Sequence, residues 1–313
     1  MKTRRSMMMV ATVLLAALSG PGVLHAQVAQ PPDASVAAAE SLAPAQEEQI
    51  KAFVAARGPG LMGDASEIKR TRDDVLKPLQ ANRVSVAFRL EYAKQVGPVL
   101  EKTVAEGNEQ QVVNALRIAG ELAAPRSIAM LKKALADPRQ AVRYGAVFGI
   151  ARFFDATGRT GPAASADQLA DLIKSLAAQA AKEADPIVLD GHTLALGAAV
   201  RVPESAVKDV RGPALAALAK IGDDRAKALA ADSGKARLVE MLFRICGIAR
   251  GALTDIQQGN LPATTTAACG SMAASILAAC DELAKAPDPG VPSNAVSQLK
   301  AAAAAVQDFA KAR

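Results

Sequence analysis

Over residues 108–154 apolar side chains recur every three or four positions, and proline breaks the run twice. That period lines them along one side of an α-helix. Between 110 and 122 the stripe is Val112, Leu116, Ala119 and Leu122. Between 127 and 136 it is Ile128, Leu131 and Leu135, with Lys132 and Lys133 facing the other way. After Asp137-Pro138 the stripe widens, with Val142, Ala146, Ile150 and Phe153 on one line and Val147, Ala151 and Phe154 beside it. So broad an apolar surface suits an inner helix covered on two sides. The block therefore predicts three helices separated by two proline-marked turns.

Its last part recurs. Asp137-Pro138 is followed by Gly149, twelve residues after the aspartate, and Asp185-Pro186 is followed by Gly197 at the same interval, 48 residues on. Asn108 and Gly120 repeat the interval without the Asp-Pro pair. Self-similarity at this scale marks stacked helical units, none of which can bury its apolar face alone. Ser165 and Gln168 read as a capping box ahead of Leu169, Leu172, Ile173 and Leu176. Later segments are longer. Leu238, Leu242, Ile245, Ala249, Ala252 and Ile256 stay in line over 235–256, and a turn follows at 259–262. Cys269, Met272, Ala273, Ile276, Leu277, Cys280 and Leu283 make the next face, and Val296, Leu299, Ala303, Val306 and Phe309 the last. These lengths predict a C-terminal helical hairpin or bundle over 234–313.

The spacing Asp137, Pro138, Val142, Arg143, Ala146, Gly149 resembles HEAT repeats, and most of all the short HEAT-like repeats of bacterial proteins. The resemblance is good over 108–154 and weaker to about 250. The second copy keeps Asp185, Pro186 and Gly197 but has Asp190 and Gly191 where Val142 and Arg143 stand. It implies an all-α, HEAT-like α-solenoid of stacked antiparallel helix pairs, here over 83–233, offering a surface to protein partners. Composition agrees with the class: half the residues are apolar and aromatics are 3%. Alanine, the best helix former, dominates, and strand formers are sparse.

The first 26 residues have the form of a secretory signal: Lys2, Arg4 and Arg5, then an apolar run over 7–18, then a helix break at Gly20-Pro21-Gly22 and a cleavage site near Ala26. The run is shorter than the roughly 20 residues of a spanning helix. No later segment reads as a membrane span. The expected setting is periplasmic or secreted. Residues 27–46, rich in proline and alanine, read as a flexible tether, and 47–82 as N-terminal helices opened at Asp64 by a cap. Without Lys2, Arg4 and Arg5 the excess falls from +6 to 34 basic against 31 acidic side chains. So weak a charge, with no tryptophan for stacking, argues against nucleic acid.

Catalytic equipment is sparse. His192 is the one histidine beyond the signal, aligns with Tyr144 in the repeat, and reads as a packing or groove-lining residue. The three cysteines lack metal-ligand spacing, no glycine-rich phosphate loop follows a strand, and no G-x-S-x-G elbow occurs. We therefore expect no catalytic residues, metal or cofactor. Cys269 and Cys280 lie eleven residues apart on one helix, roughly 16 Å, too far for a disulfide. Two readings stay open: three buried thiols, or a bridge from Cys246 to one of the other two, with Cys269 the nearer match in height and Cys280 second.

The function these features suggest is an exported, non-enzymatic repeat protein that binds another protein as a scaffold or assembly factor. Alternatives are a structural spacer of the envelope, or a groove that holds a small ligand or an active site. On an alanine-rich surface the rare bulky and basic side chains Arg139, Arg143, Tyr144 and Arg152 are the candidate anchors. Arg139 and Arg143 read equally as solvated arginines of the repeat surface.

Overall fold

The structure is a computed structural model, described for residues 30–231, 235–255, 261–285 and 290–312. Among these residues there are thirteen α-helices and no strand. In chain order they are α1 (Ala34–Ala38), α2 (Pro44–Arg57), α3 (Ala65–Leu76), α4 (Val86–Glu106), α5 (Glu109–Leu122), α6 (Pro125–Ala134) and α7 (Gln140–Thr160). There follow α8 (Ala166–Ala180), α9 (Pro186–Val200), α10 (Arg211–Ala228), α11 (Lys235–Thr254), α12 (Ala263–Lys285) and α13 (Ser293–Lys311).

Packing sorts them into two ladders. The odd helices α3, α5, α7, α9, α11 and α13 each touch the next odd one, and the even helices α2 to α12 do the same. Successive helices form the rungs, so the fold is an all-α solenoid of stacked helix pairs. Starts of the helices obey the capping rules read from the sequence. Asn108 Oδ1 accepts the Gln111 amide while Gln111 Oε1 accepts that of Asn108, and Ser165 and Gln168 do likewise. Asp64 and Asp185 cap α3 and α9 in the same sense.

Close approach within the odd ladder is set by glycine. At the crossing of α5 and α7 a Cβ on Gly120 would lie 2.2 Å from the Gly149 carbonyl oxygen, and one on Gly149 2.7 Å from the Leu116 oxygen. Only two bare Cα positions let these backbones touch. The apolar stripes predicted above form the core: Val112, Leu116, Val142, Ile150, Phe153, Leu172, Leu242, Met272 and Leu299 are all fully buried.

Several expectations need correction. Residues 30–46 are no tether: Asp33 caps α1, Val36 and Ala37 are buried, and Ser85 donates its hydroxyl to Ala39 O at 2.6 Å and its amide to Ala37 O at 2.8 Å. Three buried residues, Pro32, Val36 and Ala37, are too few to show a period in sequence, which is why the segment looked featureless. Phe309 is 40% exposed, off the buried face of α13. Helix α12 is long and apolar enough to cross a membrane by length and composition. Its apolar face, however, is buried between α10 and α13. Residues 1–29, Ile256 and the first half of the turn at 259–262 lie outside the described residues.

Candidate functional site

The four anchor candidates sit on α7 or at its start, and the structure separates them. Arg139, at the cap position, turns back on its own turn: Nε and Nη2 donate to the two carboxylate oxygens of Asp137 at 2.9 Å each, and Nη1 reaches Gly107 O at 3.4 Å. That pairing holds the Asp137 carboxyl below its usual range. Arg143 spans to the next repeat. Its Nε and Nη2 donate to the two oxygens of Glu183 at 2.8 and 3.2 Å, and Nη1 donates to Asp137 O and Pro138 O, both at 3.1 Å. Glu183 in turn accepts the Asp185 amide at 2.9 Å, so one arginine ties two successive Asp-Pro turns together. Both guanidinium groups are engaged inside the chain.

Arg152 lies 5.0 Å above the Phe148 ring and 3.8 Å from Glu121 on α5, a carboxylate it shares with Arg159. Tyr144 is different. Its side chain stands 42% exposed and packs at its base beside Gly191 of α9.

Tyr144 belongs to a set whose other members sequence reading missed. Ile187 and Leu194 on α9 and Phe243 on α11 are exposed by 43 to 47%. All four lie on the odd ladder. Their helices are cross-linked in register: the space over Gly191 is filled by Val147, that over Gly197 by Ile248, and Arg244 pairs with Asp190. Helix α9 is apolar nearly all round, so its two exposed positions carry no sequence contrast with its buried ones. Phe243 stands next to Leu242 in the chain and a quarter-turn off its stripe.

Beside Phe243 a groove of about 630 Å³ opens between α11 and α13, lined by Val239, Glu240, Phe243, Arg244, Gly247 and Ile248 on one wall and Ala295 and Gln298 on the other. Two smaller hollows continue it, one past Phe243 to Arg250 and Ala302, one along Gly251 toward Arg201.

Buried polar groups are structural. Arg89 on α4 is 1% exposed and donates to Ala123 O at 3.4 Å and to Gly161 O, carbonyls at the ends of α5 and α7. Burial lowers its pKa to about 10. Arg211 donates to Ala252 O at 2.8 Å and Arg225 to Glu183 O at 3.1 Å. Arginine in this chain repeatedly supplies the donors that helix C-termini lack. His192 is wholly buried, and neither ring nitrogen makes a well-formed hydrogen bond. Burial lowers its pKa to about 4, against the opposing pull of Glu183. That position suits packing, as the sequence suggested.

All three cysteines are free and buried, and the Cys246–Cys269 bridge is absent from the structure. Burial raises the Cys246 thiol to about 12 and the other two to about 11. No group of three or more His, Cys, Asp or Glu side chains is placed to hold a metal among the described residues.

No protein-family model matches the sequence, and no curated protein matches it. Among solved structures the chain is similar to a designed armadillo repeat protein in complex with the peptide (KR)4, at 15% identity over 80% of this chain and 98% of that one, with a TM-score of 0.44. A second designed armadillo repeat protein is similar at 14% identity over 81% and 98%, TM-score 0.41. An engineered protein is similar at 15% over 89% and 83%, TM-score 0.32.

Proposed function

We propose that the chain is an exported, non-enzymatic repeat protein that binds a protein partner across the free face of its odd-numbered helices. The observation that carries this is the row Tyr144, Ile187, Leu194 and Phe243. Four large apolar side chains, each more than 40% exposed, stand on consecutive odd helices beside an open groove. A single exposed apolar residue needs no explanation, whereas several on neighbouring helices of one ladder, the last of them lining a groove, support an interaction surface there. Aromatic side chains supply much of the energy at such surfaces. Export is supported by the charged start, apolar run and small-residue site of residues 1–26. The partner's role, whether scaffolded or assembled, follows from its identity.

Cross-linking in the native host tests the reading. The wild type should yield a discrete adduct from the exported fraction, and Tyr144→Ala with Leu194→Ala and Phe243→Ser should abolish it without lowering Tm. An adduct unaffected by the triple variant removes this face as the interface.

A further inference from the structure

Resting on that reading, we propose that the partner meets the odd-helix face with an apolar patch bordered by carboxylates, and that those carboxylates lie on Arg117 and Arg152. The face has two zones. On α7 the outward stripe runs Tyr144, Phe148, Arg152, Asp155, Arg159, and on α9 and its C-cap it runs Ile187, Leu194, Arg201. Steps of three, four and seven residues keep each set on one side of its helix. The odd helices also run the same way. Gln140 reaches Asp185 near the starts of α7 and α9, and Asp155 reaches Arg201 near their ends. Helix α5 follows α7 from Val113 on Gly145 to Glu121 by Arg152. An apolar zone therefore borders an arginine zone along the C-terminal halves of three neighbouring helices.

Those halves carry Arg117, Arg152, Arg159 and Arg201 against Glu121 and Asp155, two net positive charges. Both acids are less exposed than the arginines that reach them. Glu121, its side chain 12% exposed, receives Arg152 at 3.8 Å and Arg159 at 3.2 Å, and Asp155 receives Arg201 at 3.5 Å. Arg117 makes no ion pair among the described residues, and its buried Nε has no hydrogen-bond partner. In the loop after α9, Glu204 is engaged by the Asp209 amide at 2.9 Å, and Lys208 balances Asp209. A helix C-terminus attracts cations only over its last turn, which accounts for Arg159 and Arg201. Arg117 and Arg152 stand more than a turn inside helices that end at Leu122 and Thr160, so they need another reason. Arg152 is held 5.0 Å over Phe148, at the seam of the two zones. A guanidinium fork matches a carboxylate, and a face only two charges positive suits single carboxylates rather than densely charged phosphate. From Tyr144 to Arg152 the rise is roughly 12 Å and from Leu194 to Arg201 roughly 10 Å, which sets the spacing between the partner's apolar contact and its acids.

The full chain is titrated by fluorescence anisotropy with two dye-labelled peptides, each bearing leucine and tryptophan at one end. One carries two glutamates beginning about three residues further on, roughly 10 Å in extended chain, and the other carries glutamines there. The glutamate peptide should bind about tenfold more tightly, by a margin that shrinks as salt rises. Arg117→Gln breaks no ion pair, so it should keep Tm and weaken glutamate binding about threefold. Glu121→Gln relieves Arg152 and Arg159 of their resident acid and should tighten the same binding about threefold, whereas a merely structural acid would show a lowered Tm alone. Equal binding of the two peptides, or glutamate binding indifferent to both variants, overturns the proposal. Should the native adduct still vanish in the triple variant, the interaction face stands without its acidic border; should it persist there, the face falls as well. Inorganic polyphosphate outcompeting the glutamate peptide overturns the proposal by placing a polyanion on the zone. A concentration-dependent dimer lost in Arg117→Gln does so by making the occupant a second copy.

Discussion

Replacing Gly120 by alanine should loosen the solenoid at its tightest crossing, while the same change at Gly247 should strengthen it. At residue 120 the new Cβ would lie 2.2 Å from the Gly149 carbonyl oxygen and 2.9 Å from its Cα. A carbon rests comfortably against such an oxygen at roughly 3.3 Å, so α5 and α7 must part by about 1 Å. Both atoms met are backbone, and no rotamer change relieves them. Overpacking of this kind costs about 1–3 kcal/mol. The better helix propensity of alanine offsets about 0.5–1 kcal/mol, leaving a net loss of about 0.5–2 kcal/mol. At residue 247 nothing among the described residues lies within 4 Å, so only the propensity term survives, a gain of about 0.5–1 kcal/mol. Urea denaturation followed by circular dichroism measures both. Because repeat arrays unfold in segments, amide exchange in α5 and α7 should localise the first effect. A Gly120→Ala chain as stable as the wild type, or a Gly247→Ala chain less stable, would refute the packing argument. Gly149→Leu should be worse than Gly120→Ala, since its Cβ already meets Leu116 O and Leu131 at 2.7 Å.

His192 should make stability depend on pH: its folded pKa of about 4 lies below the unfolded 6.5, so the unfolded chain binds the proton first and acid favours unfolding. The contribution is fully present above about 6.5, falls by about 1.4 kcal/mol per pH unit below it, and totals about 3 kcal/mol by pH 4. His192→Gln should flatten the Tm profile in that window, and an unchanged slope would assign it to other groups. Arg139→Ala with Arg143→Ala should lower stability by about 1–3 kcal/mol, because Glu183 and the Asp137 and Pro138 carbonyls lose their donors. Partner recovery per folded molecule should not change; lost recovery at unchanged Tm would put the pair in the interface. The three buried thiols should resist a thiol reagent in the native chain and react together only in denaturant. A peptide map of the non-reduced chain that shows Cys246 joined to Cys269 would overturn the free-thiol assignment.

Sequence by itself determined the class and much of the scaffold. Stripes such as Val112–Leu116–Leu122 and Leu169–Leu172–Leu176 landed in the core because a 3.6-residue period admits one buried face. Asp64 and Ser165 stood at helix starts because capping is local chemistry between residues two or three apart. The interval from Asp-Pro to glycine located the crossing at Gly149, since close backbone approach demands a missing side chain. What tertiary structure alone decided involves residues distant in sequence. Arg143 looked like a surface anchor until Glu183, forty residues on, took its fork. Arg89 is buried by the ends of α5 and α7, whose carbonyls it meets across 34 and 72 residues of chain. That Ile187 and Leu194 stand exposed is invisible along the chain because α9 is apolar nearly all round. Which of its sides stays uncovered depends on where α7 and α11 happen to stack, and a periodic pattern in one helix holds no information about the position of its neighbours.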